Sequence, residues 1–306
     1  MVSLGVYIAV VVIAFLVNLH GDVWYHIIGD PSVRGKTVLV TGASMGIGAA
    51  LVREYAKKGA SDIIMASRSV GKMEVIRDEI YASAGSTGMN TKIHILKSDL
   101  SSKEASEECV SSALQLLGDK GLDYLVLNHI TNSRFGTFLV DNAALLGGHG
   151  FVSEMFNTNA LSYIHMTAAS MEALKKSSGQ IVVISSLAGW VGPPKTAVYA
   201  ATKHAIQGFF DSLRIELKML GIENVGITIA SLGAHDTEGA QEVKQHMDAK
   251  ILTWEPPSGA ARAVVRAAAV RKRELFYPFS LVYPVLALRP FFPQVVDWML
   301  MLPYLE

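Results

Sequence analysis

The sequence predicts an α/β protein: a doubly wound parallel sheet in a single domain, with an apolar segment at each end. Three observations carry that expectation. Short apolar runs of strand length alternate with segments of helix length between residues 35 and 233, the pattern of a parallel sheet covered by helices on both faces. A glycine-rich turn leaves the first strand and opens the first helix. The remaining apolar surplus collects in residues 4–17 and 275–305.

Composition sets outer limits. Of 306 residues 50% are apolar and 18% charged, with 27 basic against 27 acidic side chains. That excludes a disordered or collagen-like chain. A net charge of zero leaves no basic field for a phosphate polymer, so no nucleic acid is expected as a partner. One cysteine, Cys109, allows no internal disulfide and no cysteine-rich zinc site. The mean hydropathy of +0.32 is high for so evenly charged a chain, and the ends explain it.

The first element is LGVYIAVVVIAFLV (4–17), polar only at Tyr7. Extended from Met1 to Leu19 it spans roughly 28 Å as a helix, close to a bilayer's hydrocarbon thickness. A cleaved signal peptide is the competing reading, but MVSLG supplies no basic n-region and VNLHGDVW no A-x-A-like site. Residues 1–30 are therefore expected to be a membrane anchor and linker, with Trp24 and Tyr25 suited to an aromatic belt or to an ordinary linker.

Residues 31–274 are expected to form the sheet domain. Strands are predicted at 35–44, 61–69, 91–100, 122–130, 179–186 and 225–233. Helices are predicted at 47–60, Lys72 to Ala84, Ser102 to Leu117, Phe156 to Lys176 and Val198 to Leu220. The turn after the first strand reads Thr41, Gly42, Ala43, Ser44, Met45, Gly46, Ile47, Gly48. Glycines there let the backbone turn sharply and approach a pyrophosphate, while the helix N-terminus offers free N–H groups to the anion. This is the dinucleotide-binding turn of a Rossmann fold.

The second strand ends in Ser67, Arg68 and Ser69. A carboxylate there would favour NAD by accepting from the ribose 2′-hydroxyl, whereas an arginine with hydroxyl donors favours the phosphate of NADP. NADP(H) is therefore expected over NAD(H).

Chemistry is expected where the fifth strand meets the following helix. Tyr199 and Lys203 are spaced i, i+4 and emerge on one helix face. A neighbouring ammonium stabilises a phenolate and lowers the phenol's pKa. Ser186 ends the preceding strand, where its hydroxyl can donate to the same carbonyl oxygen that the tyrosine protonates.

Together these segments resemble the short-chain dehydrogenase/reductase family over about residues 33 to 240. The matching stretches are TGASMGIG, Ser98 to Leu100, LNHI at 127–130, Asn159 in NTNALSY, SSLAG from Ser185, YAATK from Tyr199 and SLGAHDT from Ser231. Within the family, LNHIT, SSLAG, the G-x-x-D-T segment and the N-terminal run are most similar to the 11β-hydroxysteroid dehydrogenase type 1 group. The resemblance implies Tyr199 as acid/base, Ser186 on the substrate carbonyl, Lys203 on the nicotinamide ribose and Asn159 holding a relay water. It also implies adenine between Asp99 and Leu100, a cofactor wall at Asn128, His129 and Ile130, and a nicotinamide end met by Gly233, Ala234, His235 and Thr237.

Two departures stand out. Met45 occupies a position where NADP-preferring relatives often carry a cation, which leaves that work to Arg68. His235 replaces a usual aliphatic residue and sets a titratable ring beside the expected nicotinamide end. Other tempting residues read as structural: His94 has no second ligand spaced with it, His204 points to another helix face than Lys203, and Cys109 has no basic neighbour to activate it. No metal is expected.

The last element, residues 275–306, is broken by five prolines and cannot be one spanning helix. It suits a monotopic arm in contact with membrane lipid or a homodimer interface. The expected protein is an NADP(H)-dependent oxidoreductase of ketones and secondary alcohols on a small lipophilic substrate, a steroid first. Reduction of retinoid or other lipid carbonyls, or a non-catalytic cofactor-binding scaffold, are the alternatives. The expected location is the endoplasmic-reticulum membrane, single-pass. The resembled group faces the lumen, but Arg34 and Lys36 follow the anchor and MVSLG has no cation, which leans toward a cytoplasmic domain; the side stays open.

Overall fold

The computed structural model describes residues 32–83, 90–131, 135–138, 150–247 and 254–304. The expected N-terminal anchor lies outside the described residues. Among those described, no helix is long and apolar enough to cross a membrane.

The described strands are β1 (Thr37–Thr41), β2 (Asp62–Ser67), β3 (Lys92–Lys97), β4 (Tyr124–Leu127), β5 (Gln180–Ser186), β6 (Gly226–Leu232) and β7 (Glu274–Tyr277). They form one seven-stranded sheet in the order β3-β2-β1-β4-β5-β6-β7, every neighbouring pair parallel. The helices are α1 (Gly46–Lys57), α2 (Val70–Ser83), α3 (Lys103–Leu117), α4 (Gly150–Phe156), α5 (Ser162–Ser177), α6 (Ala197–Met219), α7 (Gln241–Gln245) and α8 (Pro257–Ala269), with α9 (Phe279–Leu288) and α10 (Pro293–Met301) after the last strand.

Strand alternation makes two cores. Val38, Val40, Ile63, Met65 and Val182 pack with the buried faces of α1, α2 and α8. The alternate residues Leu39, Ile64, Leu125, Val183 and Ile229 pack with α3, α5 and α6. Each such side chain contributes about 1.5–3 kcal/mol on burial, so strands apolar on both faces hold helices on both sides. Local signals set the helix ends: Ser102 Oγ accepts from Ala105 N at 3.2 Å to cap α3, and α8 starts on Pro257, whose ring presets the first helical φ.

Three expectations need correction. β4 stops at Leu127, so Asn128, His129 and Ile130 form a loop rather than the end of a strand. The Thr41 hydroxyl takes the Asn128 N–H at 2.9 Å and draws the chain out of the ladder. The boundary expected between domain and arm at residue 275 falls inside β7, where Leu275 pairs with Ala230 and packs with α8. α8 was not anticipated at all. The prolines do break the arm, into α9 and α10, whose Val285 and Val296 pack on Val191 beyond β5.

Candidate active site

Strand order reverses at β1, which has β2 on one side and β4 on the other. In such sheets a ligand crevice opens past the carboxyl ends of the strands at that point. A cleft of about 320 Å³ lies there. Gly42, Ser44, Met45, Gly46, Ile47 and Gly48 line it from the turn and α1, Ser67, Arg68 and Ser69 from beyond β2, and Asp99 and Leu100 from beyond β3. Asn128, His129 and Ile130 follow from β4, and Thr237 reaches over from beyond β6. All of these were expected from sequence. Ala66, Ser98, Thr158 and Gly239 complete the wall; the first three adjoin expected residues, but nothing in the sequence marked Gly239.

The turn is built for close backbone approach. Gly42 has φ +63°, and a Cβ on it would lie 2.7 Å from the His129 Cα. A Cβ on Gly48 would lie 2.0 Å from the Gly42 carbonyl oxygen. Asn128 clamps the turn from outside, its Nδ2 donating to Thr41 O at 3.1 Å and to Gly42 O at 3.2 Å. No acidic residue sits in the first turn of α1, so its positive end faces the cleft unopposed. This cradle fits a dinucleotide pyrophosphate. At the rim, Ser67 donates to Ser44 Oγ at 2.8 Å, while Arg68 and Ser69 stand exposed.

The second group lies past β5 and on α6. Lys203 is 2% exposed, its Nζ donating to Ile184 O at 2.9 Å and lying 5.7 Å from the Tyr199 ring centroid. Burial pulls its pKa down to about 7. Burial also pushes the Tyr199 phenol above its ordinary value, opposed by a hydrogen bond from the Ser186 side chain. The expected lowering of the Tyr199 pKa by Lys203 is therefore not what this structure shows. The amine is turned to a backbone carbonyl, and desolvation governs the phenol.

Asn159 is fully buried in a π-helical turn, Asn157–Leu161, that interrupts the helix expected from Phe156 to Lys176 and separates α4 from α5. Such turns recur at functional sites because they re-aim one side chain. Its Oδ1 accepts from Thr131 N at 2.8 Å, and its Nδ2 is buried with no partner. His129 sits deeper, Nδ1 2.8 Å from Thr41 Oγ1 and Nε2 2.6 Å from Ser162 Oγ. Burial, and the Lys203 charge after it, holds its pKa at about 3, so the ring is neutral. The roles of Thr41 and Ser162 were missed, because hydroxyls on a strand and a helix carry no spacing signal.

Beyond β6 the expected cluster divides. Thr237 reaches the cleft. The His235 ring is turned away and buried, Nδ1 3.0 Å from Gly233 O and stacked on Tyr277 with centroids 5.8 Å apart. The remaining candidates are structural: His94 meets Asp62 at 3.2 Å, His204 meets Ala200 O at 2.9 Å, and burial pushes Cys109 up to about 11. No group of three metal-ligating side chains occurs among the described residues.

Comparison with known proteins matches this arrangement. Residues 36–248 match the short chain dehydrogenase family. The hydroxysteroid 11-beta-dehydrogenase 1-like protein of Xenopus tropicalis is 39% identical over 276 residues, 90% of either chain. A short chain dehydrogenase from Burkholderia cenocepacia, solved in complex with NADP, has TM-score 0.68 at 21% identity and covers 89% of this chain and 100% of its own. Another from Burkholderia phymatum, in complex with NAD, has TM-score 0.70 at 19% identity and covers 86% and 96%. The glycine cradle at the sheet's reversal point and the sequence kinship agree, and the chain is an oxidoreductase of the short-chain dehydrogenase family.

Proposed function

We propose that this protein interconverts a ketone and a secondary alcohol on a lipophilic substrate, a steroid first, with NADP(H) as cofactor. One observation carries the reading: a hydrogen bond joins the Ser186 side chain to the Tyr199 phenol, and the buried Lys203 Nζ lies 5.7 Å from the same ring's centroid. When bound, the nicotinamide supplies or accepts the hydride. Burial keeps Tyr199 protonated at neutral pH, ready to give its proton to a carbonyl oxygen. Ser186 donates to the same oxygen and holds it in line. Lys203, with a pKa of about 7, exchanges a proton near neutrality and would hold the nicotinamide ribose. The unpartnered Asn159 Nδ2 would cost about 1–3 kcal/mol if left bare, which supports its use in holding a relay water.

Arg68, Ser67 and Ser69 at the rim, with no carboxylate at the end of β2, support the 2′-phosphate of NADP. The name borne by the Xenopus relative supports the steroid. An exposed stripe on the arm, Phe291, Phe292, Val295, Trp298 and Met301, supports contact with membrane lipid, as does the apolar run at residues 4–17. Those two features support a membrane-associated protein, and the endoplasmic reticulum is the location that the resemblance to the 11β-hydroxysteroid dehydrogenase type 1 group implies; a second copy is the other occupant the stripe would accept.

The test is a carbonyl screen with the full chain, NADPH and NADH in parallel. Steroid reduction with NADPH, lost in Tyr199→Phe, is the expected result. NADPH binding without reduction of any steroid, retinoid or medium-chain carbonyl would leave a cofactor-binding scaffold instead.

A further inference from the structure

The loops after β4, β5 and β6 meet the C-terminal arm around one side chain. Lys195 lies four residues before Tyr199, between β5 and α6. Its Nζ is 5.5 Å from the ring centroid of Phe135, beyond β4, and 5.5 Å from that of Tyr304, at the end of the arm. The two rings lie 5.9 Å apart and stacked, and His246, beyond β6, adds a third ring 5.3 Å from Phe135. The Lys195 backbone is fixed as well. Its φ of 64° is one that lysine rarely adopts, and its carbonyl accepts from Gly136 N at 3.1 Å. Three chain segments, its own loop, the loop after β4 and the arm, therefore set the position of this ammonium, and His246 backs the Phe135 ring.

A cation over aromatic faces sheds part of its hydration and keeps its charge. Two other cations, beyond β6 and on α2, are paired: Lys244 with Asp236 at 2.8 Å and Lys72 with Glu238 at 2.7 Å. Among the described residues no carboxylate pairs with Lys195. Val191, four residues earlier in the same loop, packs on Val285 and Val296 of the arm, and apolar surroundings of that kind strengthen a charge pairing. Four residues of chain put the Lys195 and Tyr199 Cα atoms at most about 14 Å apart, a separation on the scale of one rigid polycyclic substrate.

We infer that Lys195 is a specificity residue, which selects lipophilic ketones or alcohols carrying an anionic group, a sulfate or carboxylate, remote from the reacting carbon. The inference rests on Tyr199 as the reacting end and adds the charge of the substrate's far end. Phe135 and Tyr304 act through Lys195 as positioning residues.

The experiment uses the full chain with NADPH and two probes, a steroid ketone and its sulfate ester. It reads kcat/KM for each, and the binding of each by tryptophan fluorescence. The sulfate is expected to be favoured about tenfold, with the preference shrinking as salt rises. Lys195→Met should lower the sulfate-to-neutral ratio about tenfold, and Lys195→Arg should keep it. A ratio unchanged in Lys195→Met, both probes falling together, would show a structural clip and overturn the inference. So would a wild-type preference that is absent or indifferent to salt, a readout that needs no variant. If neither probe is reduced, the reductase reading fails, while the fluorescence titration still decides the role of Lys195.

Discussion

His129 Nε2 lies 2.6 Å from the Ser162 hydroxyl, so a neutral imidazole joins the loop after β4 to the first turn of α5, beside the π-turn that carries Asn159. Its pKa of about 3 lies below the ordinary 6.5 of the unfolded chain. Below pH 6.5 the unfolded state binds the extra proton, and stability is lost as pH falls toward 3. His129→Gln removes that proton uptake. The stability gap between wild type and this variant, from urea unfolding at pH 4 to 7.5, should narrow on the acid side. A gap constant with pH would contradict the neutral buried ring.

Lys203 works on the alkaline side. Its pKa is about 7 in the folded protein, against an ordinary value near 10.4. Between these the unfolded chain holds the extra proton, so Lys203 makes stability rise with pH from 7 to 9. Lys203→Met should lose that rise, measured as Tm across the same range, and turnover with it. An identical slope in both proteins would place the amine in solvent.

Removing the Tyr199 hydroxyl tests the proton donor. Tyr199→Phe is expected to lower kcat by about 10²–10⁴-fold, the usual worth of a positioned acid, while NADPH still binds by fluorescence. Retention of more than a tenth of the activity would transfer the role elsewhere.

Cofactor choice should rest on Arg68. Bonds from a cation to phosphate are worth about 1.5–3 kcal/mol, so Arg68→Ala is expected to cut the NADPH-over-NADH preference roughly 10- to 150-fold. Parallel KM measurements with the two cofactors decide it, and a ratio that stays put would mean that the 2′-phosphate is held by other groups.

Gly48→Ala tests the cradle. The new methyl would lie 2.0 Å from Gly42 O and 2.6 Å from Asn128 Nδ2, and the backbone oxygen has nowhere to go. A loss of about 1–3 kcal/mol in stability is expected, together with loss of NADPH binding by calorimetry. Normal binding in a stable variant would show that the turn is looser than its geometry.

What could be read in the sequence was what leaves a periodic or conformational mark. Six apolar strands and the glycine turn did so, and with them the cleft, because the cleft follows from where strand order reverses. The π-turn left no specific mark: Asn157, Thr158 and Asn159 are weak helix formers without any pattern that says how the backbone bends, and only its geometry shows the re-aimed Asn159. β7 was hidden because four residues, ELFY, carry too little alternation to stand out from the apolar arm. α8 did leave a mark in the sequence: Pro257 opens it, and Ala260, Ala261, Val264, Val265, Ala267 and Ala268 form a buried stripe opposite the exposed Arg262. The orientation of His235 depended on Tyr277, a contact across the sheet that no local pattern encodes.

The late position of β7 has a consequence for how the chain is made. The family match ends at residue 248, but the sheet gains its last strand only at Glu274–Tyr277. During synthesis β6 therefore emerges as an open edge, and α1 waits bare on one face until α8 arrives. A nascent chain halted between Leu232 and Glu274 would hold a nearly complete cofactor cleft on an unfinished sheet, with the unpaired backbone of β6 open to other strands. Premature termination near the end of this protein should yield a sticky, chaperone-bound product rather than a shorter enzyme.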